Sequence, residues 1–211
     1  MFSKHLKRLV VLGVLVGCLT ATAASASATT VTVSPGGRVT GTAGAGRWVF
    51  NTARKTINCT QLAFTATLAT SVTGTLPLTI ATNLAFVCRG TAAVTGGAGV
   101  IVNCTAGNLN VTSGAIGGIL NMSVTGIGCT FTVVGTMCSA RLTGGLLGSW
   151  SNPLSQLTIN TAGQTLAATG SSDGRGGTCP FLANDTSVSS TDATGAALRF
   201  AVTPTTTISV F

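Results

Sequence analysis

The chain has 211 residues, with 11 Lys or Arg against three acidic side chains, one His and no Tyr. The three acids are all aspartates, and the histidine is His5, so general acid–base chemistry beyond the N-terminal region has only three Asp and Lys55 to draw on. That inventory argues against an enzyme. The scattered charges, with no acidic or basic residue between Arg89 and Arg141, argue against a nucleic-acid binder, which concentrates basic residues and interleaves aromatics.

The first 28 residues read as a secretory signal peptide. Lys4, Lys7 and Arg8 precede an apolar run from Leu9 to Leu19, and small residues end at Ala26-Ser27-Ala28. The run is about half of the roughly 20 residues that a membrane-spanning helix needs. Cleavage is expected after Ala28, leaving 29–211 as one secreted domain. Leu15-Val16-Gly17-Cys18 also resembles a lipobox, which gives the alternative of a chain lipidated at Cys18 and anchored at the outer face of the cell membrane. No cofactor is expected.

Beyond residue 28 the pattern is that of strands. Trp48 and Phe50 alternate with Arg47 and Val49. Leu84 and Phe86 run in phase to Cys88, Val100 and Val102 to Cys104, and Phe131 and Val133 follow in phase from Cys129. Leu198, Phe200 and Val202 alternate with Arg199 and Thr203. Pairs of glycines at 96–97, 117–118, 144–145 and 176–177 are read as turns, as is Asn152-Pro153. Pro77 confines the run Leu76–Ile80 to an edge strand, or marks a strand's first residue. Many short strands without helices predict an all-β, antiparallel sandwich, Ig-like or jelly-roll-like, with a β-barrel as the alternative. The sparse aromatics do not form the girdles of a membrane barrel.

Cys59, Cys88, Cys104, Cys129, Cys138 and Cys179 remain after the signal, an even set that reads as three disulfides. No C-x-x-C pair suggests a metal site. With a turn at Gly135-Thr136, Cys129 falls opposite Leu142 and Cys138 opposite Val133. The two cysteines are then about 13 Å apart along the strand, beyond a disulfide's reach. Six cysteines allow fifteen connectivities, and this reading removes only those that contain Cys129–Cys138.

Several motifs have a functional and a bland reading. Gly170-Ser171-Ser172-Asp173-Gly174 matches G-x-S-x-G but lacks a histidine partner. Asp173, Asp185 and Asp192 would make a glycosidase pair or a Ca²⁺ site only if they converge; each also sits in turn-like sequence. Lys55 lies near Asn51 and Asn58, the pairing from which surface adhesins form isopeptide cross-links, and otherwise is a solvated charge beside Arg54. Trp48 and Trp150 read as core before they read as ligand platforms.

The order of features resembles a loose group of secreted, β-rich, multi-cysteine proteins of high-GC Gram-positive bacteria, mostly without assigned function. The resemblance rests on VTVSPGGRVTGTAG at 31–44, TINCT at 56–60, LAFVC at 84–88, the G-C-x-F-x-V-x-G segment at 128–135, TCPFLANDT at 178–186 and the closing strand near Val202-Thr203-Pro204. A fainter similarity is to secreted alkane-oxidation activator proteins associated with biofilm matrix. The resemblance implies the pairs Cys59–Cys88 and Cys129–Cys179, leaving Cys104–Cys138. It implies no catalytic, cofactor or metal residues. The expected function is a secreted structural or adhesive protein of envelope or matrix, partnered by wall or matrix polymers or by itself. The alternatives are a module for a small apolar ligand and a hydrolase using paired Asp.

Overall fold

The computed structural model describes residues 28–105, 107–136, 138–170 and 185–211, with the side chains of 115 and 116 excepted. All but the last residue of the expected signal peptide, Cys18 included, lies outside the described residues, as do Asp173, the Gly176-Gly177 pair, Cys179 and all but the first residue of the G-x-S-x-G match. Fifteen strands are described, and no helix. They are β1 Thr29–Ser34, β2 Gly37–Thr42, β3 Gly46–Phe50, β4 Lys55–Leu68, β5 Ser71–Gly74, β6 Leu78–Val94, β7 Val100–Thr105 and β8 Gly107–Ile116. The series continues with β9 Ile119–Val133, β10 Ser139–Ser151, β11 Gln156–Ile159, β12 Leu166–Gly170, β13 Asp185–Asp192, β14 Leu198–Thr203 and β15 Thr207–Val210.

Every ladder is antiparallel. A small sheet runs β15-β1-β5, and the rest form one twelve-stranded sheet that folds over the core. Four long strands make this possible by changing partner midway. β4 pairs with β3 through its first residues and with β2 through its last. β6 pairs with β8 and then β4, β9 with β8 and then β7, and β10 with β12 and then β11. The long β9–β10 ribbon spans the whole molecule, broken once by a bulge at Gly144. Between β6 and β7 there is only the single bridge Ala93↔Gly99, so the barrel does not close and the architecture is sandwich-like.

The period-two pattern explains these strands directly. On β3 Gly46, Trp48 and Phe50 are buried while Arg47 and Val49 are not, and β14 alternates in the same way through Leu198, Phe200 and Val202. The buried apolar side chains make one contiguous cluster. Aromatics tie its layers together edge to face. Trp48 and Phe50 pack on Phe131 with centroids 5.2 and 6.0 Å away, and Phe64 packs against both Phe86 and Phe200, which also touch each other.

The glycine pairs divide. Gly96-Gly97 and Gly117-Gly118 are turns with positive φ, and the turn at Asn152-Pro153 is present. Gly144-Gly145, expected as a turn, instead lies inside β10 at the bulge. At Gly144, with φ +138°, a Cβ would stand 2.1 Å from the Thr165 carbonyl oxygen. Glycine serves there as a close-approach position rather than a reversal. Pro77 immediately precedes β6, as expected for a proline at a strand start.

Two disulfides are fully described. Cys59 is bonded to Cys88 across β4 and β6, with Cα atoms 5.7 Å apart. Cys104 is bonded to Cys129, which corrects the expected pairs Cys104–Cys138 and Cys129–Cys179. The reason is register. Cys104 faces Cys129 directly in the β7–β9 ladder, whereas Cys138 sits beside Val133, four residues further along β9. That offset is about 13 Å, so the argument that separates Cys138 from Cys129 separates it from Cys104 as well. Cys138 is itself disulfide-bonded.

Candidate functional site

The two described aspartates occupy the two ends of β13. Asp185 is its first residue and Asp192 its last. Seven residues of extended chain place them about 23 Å apart, against the roughly 5–9.5 Å between the carboxyl groups of a glycosidase. They do not form a catalytic pair with each other. Each is engaged where it stands.

Asp185 is buried and acts as an anchor for the β3–β4 turn. It accepts hydrogen bonds from the Thr52 N–H (2.6 Å), the Thr52 hydroxyl (3.0 Å), the Ala53 N–H (3.4 Å) and the Ser187 N–H (2.8 Å). A buried carboxylate is tolerated because donors converge on both oxygens. Asp192 is partly exposed and organises the turn into β14. Its Oδ1 accepts from the Thr194 N–H, the Thr194 hydroxyl and the Ala196 N–H at 2.7–2.8 Å. The Thr194 hydroxyl above all, with the Ala196 N–H, holds its pKa below the ordinary aspartate value of 3.8. Asp192 is therefore a fixed, charged acceptor and not a proton donor near neutrality.

Trp48 and Trp150 are both core, and the Trp150 indole N–H has no hydrogen-bond partner among the described residues. Asn51 uses its side-chain amide to donate to the Ser187 carbonyl and hydroxyl oxygens, and Lys55 lies opposite Phe50 at the start of β4. Among the described residues no group of three or more His, Cys, Asp or Glu stands ready to hold a metal ion.

Three polar residues whose distant partners carry no signal in the sequence prove to be staples. Ser155, buried with φ 44°, donates to the Val202 carbonyl and accepts from the Thr206 N–H. The Asn152 side chain exchanges two hydrogen bonds with the backbone of Ile208, imitating a strand along β15. Gln164 does the same with Ser190 on β13. An isolated polar residue in a turn gives no hint of which distant backbone it will meet.

Among the described residues the larger hollows lie on the exterior. The interior void bounded by Trp48, Leu62, Phe86, Leu142 and Leu166 offers about 10 Å³, on the order of one water. Outside, a hollow of about 460 Å³ lies between the 43–45 segment and the 192–199 turn, with Asp192 and Arg199 on its walls. A second, of about 280 Å³, is formed by Arg38, Thr65, Ala66, Thr67 and Asn83.

Fold and surface together define a disulfide-braced, sandwich-like antiparallel β-protein with a filled core and, among the described residues, two outer hollows that each carry an arginine. The chain matches no protein-family model, no curated protein and no solved structure.

Proposed function

We propose that this chain is an exported structural or adhesive β-protein of the cell envelope or matrix, working through its outer surface and without a catalytic centre. The observation that carries this reading is the disposition of Asp185 and Asp192. The two described carboxylates are spent at opposite ends of one strand on holding turns, and the space between the layers is filled. Its polar surface chemistry is that of hydroxyls, amides and isolated arginines, interspersed with single exposed apolar side chains such as Ile101, Ile119 and Leu154. The disulfides are consistent with an oxidising, extracellular location, and the N-terminal pattern supplies the export route. The resemblance to secreted multi-cysteine proteins, and more faintly to matrix-associated ones, points the same way.

A small apolar ligand held between the layers is the weaker reading, because about 10 Å³ of interior space does not accommodate one. Self-pairing is also less favoured at β15, whose outer edge is occupied by the Asn152 amide, and at β6 and β7, which face one another.

The test is fractionation of the producing cells. The mature protein is expected in the wall or matrix fraction, released by high salt, with its N-terminus at Thr29 by mass spectrometry. Recovery of the whole pool as freely soluble protein in the medium would overturn envelope or matrix association. A lipid-modified Cys18 would replace simple secretion by anchoring.

A further inference from the structure

We infer that the outer face of β4, β2 and β14 binds an acidic polysaccharide, with Arg38 as its principal anion contact and Arg199 as a second one. The inference rests on the reading above and names its partner's chemistry. The face follows from the ladders. Val39 and Gly41 of β2 and Phe200 and Val202 of β14 point inward, so Arg38, Thr40, Arg199 and Thr203 point out. Thr40 lies opposite Thr65 on one side and Thr203 on the other, making a row of hydroxyls across three strands.

An arginine stands in a hollow at each end of this face. Arg38 shares its hollow with Thr65, Thr67 and Asn83, and no carboxylate lines it. There Asn83 and Thr67 are locked together, since the Thr67 N–H donates to Asn83 Oδ1 (2.7 Å) and Asn83 Nδ2 donates to the Thr67 hydroxyl (3.0 Å). Extending the β2–β14 register places Arg199 level with Gly44, six residues from Arg38, or about 20 Å along the strand. Two arginines at that distance, with hydroxyls between them, complement a chain that repeats carboxylate and hydroxyl groups. A guanidinium takes a carboxylate through two parallel hydrogen bonds, and uncharged Thr and Asn side chains exchange hydrogen bonds with sugar hydroxyls. A polymer reaches both hollows and gains from bivalency, and a monosaccharide does not. Asp192 lines the Arg199 hollow and repels an anion, so Arg199 contributes less than Arg38.

The experiment uses the full mature protein and three probes: polygalacturonate, galacturonate monomer and poly(glycerol phosphate). Arg38→Gln is expected to weaken polygalacturonate binding about tenfold, Arg199→Gln to weaken it less, and Asp192→Asn to strengthen it. Arg141→Gln, an exposed arginine on the far half of β10, is expected to leave it unchanged. These are surface substitutions, and an unchanged thermal midpoint shows that each variant is folded. Equal losses from Arg38→Gln and Arg141→Gln would overturn the site in favour of diffuse charge. Tighter binding of poly(glycerol phosphate), equal affinity for the monomer, or no binding of polygalacturonate would each overturn the partner. If native protein sediments with its own wall or matrix and Arg38→Gln does so equally, this inference fails and the broader reading stands. If native protein does not sediment with them, the broader reading itself fails.

Discussion

Cys104 and Cys129 face one another directly across β7 and β9, and their bond joins neighbours in the ladder rather than two layers. Cys59–Cys88 likewise joins adjacent strands, β4 and β6. Each bridge thus braces one lip of the seam where β6 and β7 are held by a single backbone bridge.

Peptide mapping under non-reducing conditions checks this arrangement. Linked peptides are expected for Cys59–Cys88 and Cys104–Cys129. Cys138 is also disulfide-bonded, and Cys179 is the one remaining cysteine beyond residue 28, so a Cys138–Cys179 peptide completes the expected map. No free thiol should be titratable in the native secreted protein.

Asp185 should be the most sensitive of the polar positions. Asp185→Ala removes the buried acceptor of the Thr52 and Ser187 N–H groups, which lie in a part-buried setting, and about 2 kcal/mol of stability should be lost. Asp185→Asn keeps one acceptor oxygen and should lose about half of that. Urea unfolding with an unchanged m-value separates this from a change in the unfolded state.

Gly41 and Phe64 are a second close pair. They oppose each other in the β2–β4 ladder, and the Phe64 ring lies over Gly41 so closely that a Cβ would stand 2.1 Å from a ring carbon. Gly41→Ala should therefore destabilise the fold by about 1–3 kcal/mol through forced movement of a packed ring. The measurement is the thermal midpoint. Gly44 has nothing within 4 Å of its Cβ position and serves as the control, with Gly44→Ala near neutral.

The turn at Asp192 should respond to acid late. Its folded pKa lies below 3.8 because the charged form accepts from Thr194 and Ala196. A depressed carboxylate contributes stability that is present above the unfolded pKa and lost as pH falls through the folded one. The 192–198 turn should accordingly hold through pH 4 and loosen only below the usual aspartate range. NMR titration of the Asp192 carboxyl tests this, and Asp192→Asn should remove that transition.

Much of the local structure is legible in the chain. Alternation from Trp48 to Phe50 and from Leu198 to Val202 names the inward faces correctly, because a pleated strand turns successive side chains to opposite sides. The turn at Gly135 also gives the correct pairing of Cys129 with Leu142. That deduction works because a hairpin register depends only on residues close in sequence. The partner of Cys104 is not reachable in this way. It depends on β7 lying against the far side of β9, 25 residues on, and nothing local encodes that choice. The same holds for Asp185, Ser155 and Gln164, whose partners are 26 to 133 residues away. The bulge at Gly144 is also a tertiary fact, since only the approach of Thr165 distinguishes it from a turn. Periodicity and turn chemistry are short-range, so they decide which residues form strands and which side faces in. Strand order is settled by which folded-over layers can bury those sides together, and the disulfide partners, polar staples and outer hollows follow from it.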